Sequence, residues 1–237
     1  MNSNCRSSRP QRHRIRQRSR AIHSYDFFNV LTAPDLLDVM DEQLPAHRER
    51  LFPPTTTLSL FMAQTLNTDA SCQATIDRHV VERIANDLSP CSTATGAYCR
   101  ARQRLPLRVV RSLLRHTGRL LVDEEATPWR WQGRAVKLVD GTTISMADTP
   151  DNQWRCPQSR TQQPGLGFPV ARVVALLSLG TGAVLDTALG PQAGKEGSEH
   201  ALFHTLLPHI TEGDILLGDR YYCSYAMIAM LRARGAD

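Results

Sequence analysis

The chain has 237 residues, of which 41% are hydrophobic, and it carries a formal net charge of +5 at pH 7. This length can bury one large core or two smaller ones, whereas no apolar run approaches the ~20 residues of a membrane span and the first residues lack the apolar centre of a secretory signal. The six cysteines show neither a CxxC pair nor zinc-ligand spacing, so we expect reduced thiols in a cytoplasmic protein without a membrane segment.

Residues 1–25 form a basic arm at the start of the chain. Seven arginines precede the first acidic residue, Asp26, so subtracting the arm's +7 from the net charge of +5 leaves about −2 for the rest. A basic arm beside a nearly neutral body favours nucleic-acid binding, because the cationic groups displace counterions from phosphates. An arginine-biased genome or a non-native extension is the alternative explanation. The low apolar content predicts that the arm is disordered.

Residues 26–130 have helical periodicity and predict an all-helical N-terminal domain. Thr32 to Asp35 has the pattern of a helix start, with a hydroxyl cap, a proline in the first turn and an acid. Apolar residues recur at helical spacing at Ile76, Val80, Ile84 and Leu88. A further helix is predicted to begin at Pro106, with an apolar face made of Leu107, Val110, Leu114, Thr117 and Leu121.

The other face of this last helix carries a stripe of four arginines at three- and four-residue steps: Arg108, Arg111, Arg115 and Arg119. Such a stripe can lie along a DNA backbone, where each guanidinium contacts a phosphate. The alternative is a helix face that contacts only solvent. We predict that the stripe binds DNA together with the helical domain that carries it.

Residues 131–237 change to a pattern of strands and helices. Four strands are predicted, at Ala135–Met146, Val170–Leu179, Ala183–Leu189 and Asp214–Gly218. Ser198 and Ser224 each stand at the start of a predicted helix. The resulting order β-β-β-α-β-α is that of a ribonuclease H-like mixed α/β sheet up to its fourth strand. We therefore expect an incomplete domain of this kind, truncated before a fifth strand.

The apolar runs of the first and fourth strands each stop at an aspartate, Asp140 and Asp219. In such a sheet these two strands are parallel neighbours, so their carboxylates meet at the edge where open α/β sheets hold ligands. The two charges repel each other unless a cation lies between them, and Mg²⁺ or Mn²⁺ prefers oxygen ligands. We expect Gly141 and Gly218 to leave room for a substrate backbone. The alternative is that each aspartate only favours a turn.

Three stretches of this region together resemble one known family. They are LVDGTTISMADTPDN, PGLGFPVARVVALLSLGTGAVLDTALGP and LLGDRYYCSY, and they are similar to DDE transposases of the insertion-sequence-four family. The resemblance implies a ribonuclease H-like core that cuts and joins double-stranded DNA at transposon ends and targets. It also implies that Asp140 and Asp219 are the first two catalytic acids and hold Mg²⁺ or Mn²⁺, and that the complete enzyme is a homodimer in the bacterial cytoplasm.

The third acid of that family is a glutamate on a helix beyond a further strand, and this sequence does not contain the corresponding pattern. Glu196 and Glu199 precede the fourth strand, so we assign them no catalytic role and interpret Glu199 as a first-turn residue that favours its helix dipole. We therefore expect a truncated transposase that is inactive as it stands. The alternatives are a DNA-binding remnant that interferes with intact transposase and a metal-dependent nuclease of the same fold.

The aromatic and imidazole side chains near Asp219 have ordinary explanations. Tyr221, Tyr222 and Tyr225 either stack on DNA bases or pack in the core, and core packing is the preferred interpretation. Two histidines lie four residues apart on one predicted helix, but the sequence offers no third metal ligand beside them.

Overall fold

The structure is a computed structural model of the chain, and it describes residues 24–44, 51–159, 161, 163 and 165–237. Most of the predicted basic arm, residues 1–23, lies outside these described residues, so its disorder and its contact with DNA stay predictions. None of the helices within the described ranges has both the length and the apolar composition of a membrane span.

The chain divides into two compact units, Met1–Leu113 and Leu114–Asp237. The change of sequence pattern predicts a boundary at residue 130, whereas the division of the fold falls inside a helix. Every regular element described in the first unit is helical, and the last helix continues into the second unit. These helices are α1 (Ser24–Leu31), α2 (Pro34–Gln43), α3 (Pro54–Leu66), α4 (Cys72–Ala85), α5 (Gly96–Arg104) and α6 (Leu107–Asp123).

The start of α2 follows only part of the predicted pattern. Pro34 occupies the first turn, where its fixed φ suits a helix and its missing N–H costs nothing. The predicted cap by Thr32 is wrong, because this hydroxyl donates a hydrogen bond to the carbonyl oxygen of Phe28 at 2.8 Å. Thr32 thus completes the last turn of α1, and Ala33 stands at the cap of α2 without a side-chain acceptor.

Two clusters of buried apolar side chains hold the first unit together. One joins α1, α2, α3 and α6 through Leu31, Leu36, Met40, Leu58, Val109 and Leu113. The other surrounds α3, α4 and α5 with Phe52, Leu60, Ile76, Tyr98 and Ala101. The predicted apolar stripe of α4 is buried only at its beginning, since Ile76 is buried whereas Ile84 and Leu88 are exposed.

The predicted apolar face of α6 is wrong. Leu107, Val110 and Leu121 are exposed, whereas Val109 and Leu113 are buried. Apolar residues occur on more than one side of this helix, so the spacing of a subset does not determine which side meets a core. The arginines therefore do not lie opposite the buried side in the way that the sequence predicts.

Four strands form the sheet of the second unit: β1 (Val136–Ser145), β2 (Val170–Ser178), β3 (Val184–Pro191) and β4 (Ile215–Leu217). All four coincide with predicted strands to within two residues at either end. Their order in the sheet is β3-β2-β1-β4. β2 is antiparallel to both of its neighbours, whereas β1 and β4 are parallel. The predicted parallel pairing of the first and fourth strands is therefore confirmed.

Helices connect and flank these strands. The α-helices are α7 (Pro150–Arg155), α8 (Glu199–His204) and α9 (Tyr225–Arg232), and short 3-10 helices lie at Thr127–Trp129, Leu207–His209 and Arg220–Tyr222. α8 and α9 begin where predicted, because Ser198 and Ser224 accept backbone N–H groups of the first turns at 3.2 and 3.3 Å. The short helix α7 was not predicted, although the Thr149 hydroxyl caps it.

One apolar cluster forms the core of the second unit. It contains, among others, Val139, Val174, Leu176, Phe203, Leu206, Tyr222 and Met227. Each such side chain contributes roughly 1.5–3 kcal/mol when it is fully removed from water. Because Val139 points into this cluster and side chains alternate along a strand, its neighbour Asp140 points to the opposite face of the sheet.

A buried ion pair joins the beginnings of β1 and β4. The Lys137 ammonium lies 2.5 Å from Asp214 Oδ2 and also donates to the carbonyl oxygen of His209 at 2.8 Å. Asp214 accepts two further hydrogen bonds, from the backbone N–H and the hydroxyl of Thr211. Both charges are therefore satisfied inside the fold, and they hold β4 beside β1 at the ends remote from the two aspartates.

The other edge of β4 is bonded to Asp237. The Asp237 N–H donates to the carbonyl oxygen of Asp214 at 3.0 Å, and the Leu216 N–H donates to the carbonyl oxygen of Asp237 at 2.7 Å. This is the bonding pattern of a parallel bridge. β4 thus has backbone hydrogen bonds on both of its edges.

Candidate active site

The register of β1 and β4 brings Asp140 and Asp219 to the same level of the sheet. The last paired residues are Leu138 and Leu217, and each aspartate follows two residues later. The two segments stay close one residue beyond this pair, because a Cβ on Gly218 would lie only 3.0 Å from Cγ1 of Val139. The two aspartates therefore follow the last paired residues of neighbouring strands at the same offset.

Both carboxylates are exposed and have oxygen atoms that remain available. Asp140 Oδ1 accepts the N–H of Gly141 at 2.8 Å, and Asp219 Oδ1 accepts the N–H of Tyr221 at 2.9 Å. These bonds leave Oδ2 of each aspartate without a partner among the described residues. Two neighbouring carboxylate oxygens suit a hard divalent cation. The alternative that the aspartate only favours a turn also fits Asp219, because its side chain caps a 3-10 helix. The role of the pair in metal binding stays a prediction.

The described residues contain no group of three or more His, Cys, Asp or Glu side chains that stands ready to hold a metal ion. His200, one of the two histidines considered from the sequence, has its Nε2 atom 2.6 Å from the carbonyl oxygen of Tyr221. Its ring also stacks on Tyr221, with 4.5 Å between the centroids. His200 is therefore engaged with the segment that follows Asp219, and the ordinary explanation of this histidine fits its contacts.

Glu199 lies against Gly141, the residue that follows Asp140, and the sequence interpretation did not anticipate this contact. A Cβ on Gly141 would lie 2.7 Å from Cδ and 3.0 Å from Oε1 of Glu199, so this carboxyl group covers the residue that follows Asp140. The interpretation of Glu199 as a first-turn residue of its helix is confirmed, because Ser198 caps α8 and Glu199 is the acid in its first turn. α8 packs against β2 and β3, and this packing brings its first residue back over β1.

The two glycines beside the aspartates do not leave the open space that the sequence analysis expects. Glu199 fills the space above Gly141, and Val139 and Tyr222 lie within 3.3 Å of the position that a Cβ would take on Gly218. Each glycine instead permits a close approach of other parts of this chain. The expectation that they make room for a substrate backbone is corrected accordingly.

Tyr222 connects Glu199 to the strand that carries Asp219. Its hydroxyl donates to Glu199 Oε2 at 3.3 Å, and its buried ring makes an edge contact with Phe203 at 5.5 Å between centroids. Burial raises the pKa of Tyr222, and the negative charges of Glu199, Asp219 and Asp140 raise this pKa further. The hydroxyl therefore stays protonated and remains a donor.

The three tyrosines differ in their surroundings. Tyr222 is buried in the core of the second unit, as preferred from the sequence. Tyr221 is half exposed, and Tyr225 is almost fully exposed. Stacking on DNA bases stays a prediction for these two residues.

The four arginines of the predicted DNA-binding stripe have different surroundings. Arg108 is exposed and donates from Nε to the carbonyl oxygen of Gln43 at 2.8 Å. Arg111 is half-buried, and Arg119 is exposed at the rim of a cavity of about 500 Å³. Their role in DNA binding stays a prediction; of the two stripe arginines in the second unit, Arg119 is exposed and Arg115 is half-buried.

Arg115 instead takes part in a buried polar cluster. Its Nη2 atom lies 2.7 Å from Oδ2 of Asp186, a carboxylate that is only 1% exposed. The same oxygen lies 3.0 Å from His209 Nε2. Burial would raise the pKa of Asp186, but hydrogen bonds from Arg115 and the Thr187 N–H lower it overall. Arg115 therefore neutralises a carboxylate that the core encloses.

His209 in this cluster is neutral near pH 7. Burial lowers its pKa, and this effect outweighs the opposite influence of Asp186. The short distance between His209 and Asp186 would suit an ion pair, but the lowered pKa indicates a hydrogen bond of a neutral imidazole. Arg115 already balances the charge of Asp186, so this carboxylate does not need a protonated His209.

Residues 131–237, which contain both aspartates and Glu199, match the protein family described as Transposase DDE domain. A curated protein of Escherichia coli (strain K12), named "Putative transposase InsZ", is similar to this chain. The two are 27% identical over 145 residues, which is 61% of this chain and 48% of the relative. The alignment thus spans about half the length of that relative.

Proposed function

We propose that this chain acts in DNA transposition, with Asp140 and Asp219 as two acids of one metal site. The observation that carries the proposal is the parallel ladder of β1 and β4, whose last pair, Leu138 and Leu217, precedes each aspartate by two residues. The match of residues 131–237 to a transposase DDE domain supports it. In the finer form of the proposal, the domain has a ribonuclease H-like fold of the insertion-sequence-four type.

The proposed substrate is the phosphodiester backbone of double-stranded DNA at transposon ends and targets. Asp140 and Asp219 would hold Mg²⁺ or Mn²⁺ through their available Oδ2 atoms. A bound divalent cation would supply charge neutralisation at the phosphate and a more acidic water. The chemistry needs no covalent nucleophile from the protein, so it requires no Ser-His or Cys-His pair.

The proposed DNA contacts lie outside the two aspartates. We assign them to the basic arm, to the helices of residues 26–130 and to the arginines of α6, of which Arg119 is free to reach a phosphate and Arg115 is engaged with Asp186. Guanidinium contacts of this kind weaken as salt rises. A homodimer in the bacterial cytoplasm completes the proposal.

We also propose that Asp140 and Asp219 alone support only slow cleavage. Phosphoryl transfer with two ions about 3.5–4 Å apart stabilises both the attacking and the leaving oxygen. Two aspartates provide few ligands for a second ion, and no group of three candidate ligands is preassembled among the described residues. We therefore expect metal binding to be readily measured and nicking to be weak.

The test compares Asp140→Asn with the unchanged chain. Mn²⁺ binding is measured by titration calorimetry, and nicking of supercoiled plasmid DNA is measured with Mg²⁺ or Mn²⁺. We expect at least a tenfold loss of Mn²⁺ affinity, on the order of 1.4 kcal/mol or more, and the loss of any slow nicking. Asp151→Asn is the matched control, because Asp151 is an exposed aspartate in the first turn of α7.

Two outcomes of this test are decisive. Unchanged Mn²⁺ affinity in Asp140→Asn contradicts the metal site. Robust nicking that survives the substitution shows that other residues carry the chemistry. DNA binding without Mn²⁺ binding favours the alternative of a DNA-binding protein without catalysis.

A further inference from the structure

Two cysteines of the first unit lie side by side where α4 and α5 meet. Cys72 is the first residue of α4, and Cys99 lies in α5. A hydrogen bond joins the Cys99 thiol to that of Cys72, and both thiols are reduced and half-buried. Arg102 on α5 also contacts the sulfur of Cys72. Because residues three apart share one face of a helix, Cys99 and Arg102 both face the start of α4.

The Sγ atom of Cys72 is surrounded by N–H donors. Arg102 Nη1 lies 3.4 Å from this sulfur, and Gln64 Nε2 lies 3.7 Å from it. Cys72 also stands in the first turn of a 14-residue helix, whose N-terminus carries partial positive charge. Neighbours of this kind stabilise sulfur that carries negative charge, which is the form that attacks oxidants. The surroundings of Cys72 thus suit a nucleophilic thiol.

The two donors are held beside Cys72 by their other contacts. The Arg102 guanidinium lies over the ring of Phe61, 4.5 Å from its centroid, and Nη1 also lies 3.3 Å from Gln64 Oε1. The Tyr98 hydroxyl donates to the same Oε1 atom at 2.7 Å, which orients the amide of Gln64 with Nε2 towards the sulfur. Within the described part of the chain, Arg102 forms no ion pair with a carboxylate, so its charge is available to Cys72.

Cys99 is the thiol of the pair that keeps its proton. Burial raises the pKa of Cys99, and the hydrogen bond to Cys72 and the electrostatic influence of Cys72 raise this pKa further. The two sulfurs therefore have different surroundings, one facing a guanidinium and a helix N-terminus, the other a neutral thiol in contact with the first. A reactive cysteine with a second cysteine next to it is typical of thiols that form a disulfide on oxidation.

We propose that Cys72 and Cys99 form a peroxide-sensitive thiol pair, in which Cys72 is oxidised first and Cys99 converts it to a disulfide. First, the Cys72 sulfur attacks one oxygen of hydrogen peroxide and the O–O bond breaks. Cys72 becomes a sulfenic acid, and one water molecule is released. The Cys99 sulfur then attacks the Cys72 sulfur, and the sulfenic hydroxyl group leaves as water with the proton of Cys99.

The reaction converts two thiols and one peroxide into one disulfide and two water molecules, and the two electrons lost by the sulfurs reduce the peroxide. The disulfide would tie the start of α4 to α5 in the helical domain. This thiol pair is independent of the proposed metal site, because neither step uses Asp140 or Asp219.

The test treats the full chain with hydrogen peroxide, blocks the remaining thiols with an alkylating reagent and maps the peptides by mass spectrometry without reduction. We expect a pair of peptides linked through Cys72 and Cys99, which separates on reduction. Cys223 is the internal control, because it is exposed and reports the rate of an accessible thiol. We expect Cys72 to be oxidised about threefold faster than Cys223, or more.

Three variants assign the roles within the pair. Cys99→Ser should leave Cys72 as a sulfenic acid that a 1,3-dicarbonyl reagent traps. Arg102→Gln should slow the oxidation of Cys72 about threefold or more, because it removes the cationic neighbour of the sulfur. Arg100→Gln is the matched control with an unchanged expected rate, since Arg100 is an exposed arginine of the same helix.

The measurement on the unchanged chain decides the question even if a variant does not fold. Oxidation of Cys72 that is no faster than that of Cys223 overturns the inference, because its neighbours then do not activate it. Conversion of Cys72 to a sulfinic acid without a link to Cys99 also overturns it. A fast link between the two, slowed in Arg102→Gln and unaffected in Arg100→Gln, supports it.

Discussion

At Gly141 the backbone of β1 passes directly beneath the carboxyl group of Glu199. Gly218 has a different neighbourhood, because its missing side chain faces Val139 and Tyr222 in the core. The two glycines flank the aspartates in a similar way along the chain. They differ in what a methyl group would displace: the tip of a movable side chain at Gly141, and packed core atoms at Gly218.

This difference predicts unequal effects of alanine. Gly218→Ala should lower the free energy of unfolding by about 1–3 kcal/mol, as overpacking of a core does. Gly141→Ala should cost about 1 kcal/mol or less, because the Glu199 side chain can move. Urea denaturation followed by circular dichroism measures both. Equal destabilisation by the two substitutions would contradict this difference between the two glycine positions.

The sequence identifies candidate site residues only where a local pattern, such as an apolar run that stops at an acid, marks them. Asp140 and Asp219 end apolar runs, so their strands and their parallel pairing could be predicted. The contact of Glu199 with Gly141 was not predicted, because it depends on how α8 packs on the sheet, which strand order does not show. Gly141 was the one sequence feature that indicated a close approach at this point, but the space beside it was predicted to hold a substrate backbone.

At the scale of the elements, the short strand β4 has a buried polar contact at its beginning. It has three residues, and Lys137 and Asp214 join its beginning to β1 inside the fold. Their side chains are only 9% and 7% exposed, so water screens this pair little. The position of Asp219 follows from that of β4, because only Gly218 separates them.

Lys137→Met should therefore destabilise the second unit. Removing one partner of a buried ion pair typically costs about 3–5 kcal/mol, because the other charge stays buried. In the double variant Lys137→Met with Asp214→Leu we expect part of this loss to be recovered. A double-mutant cycle from urea denaturation measures the coupling. Strictly additive effects would show that the two side chains do not stabilise each other.

The sequence predicted strands better than helix faces. The strands are short apolar runs with clear boundaries, and all four occur where expected. The apolar face of α6 was misjudged because apolar residues occur on more than one side of this helix. The pairing of Arg115 with Asp186, 71 residues later in the chain, was likewise not visible from local spacing. The helix α7 was missed although Thr149, Pro150 and Asp151 supply a hydroxyl cap, a first-turn proline and an acid.

For the whole molecule, two histidines make stability depend on pH. Burial lowers the pKa of His79 in the first unit and of His209 in the second. Neither ring nitrogen of His79 has a hydrogen-bond partner among the described residues. The unfolded chain therefore binds protons more readily than the folded one at these positions. Their contribution is fully present above the unfolded pKa of 6.5 and is lost as pH falls through the folded pKa.

We expect a lower free energy of unfolding at about pH 5.5 than at about pH 7.5, where unperturbed histidines change charge. His79→Leu should reduce this difference, because it removes a group that must stay neutral in the folded state. His204→Gln is the control, since His204 is exposed. Urea denaturation at the two pH values measures the effect. An unchanged pH dependence in His79→Leu would contradict the role of this histidine.

The change from helical to strand periodicity predicted two parts of the chain, but the division into units falls earlier, inside α6. A continuous helix leaves no break in the sequence pattern, so local periodicity does not reveal where contacts change. The α/β class and the strand order of the second unit followed from the order of short segments. The position of the division inside α6 depends on contacts between residues that are distant in the chain.

The brevity of β4 has a thermodynamic consequence for the proposed metal site. Local opening of so short a ladder would separate Asp140 from Asp219 while most of the sheet stays folded. A cation that requires both would then bind only the closed form. At a free concentration one hundred times its dissociation constant, such a ligand would stabilise the closed form by about 2.7 kcal/mol. Loading with metal and closure of this sheet edge would be one linked equilibrium.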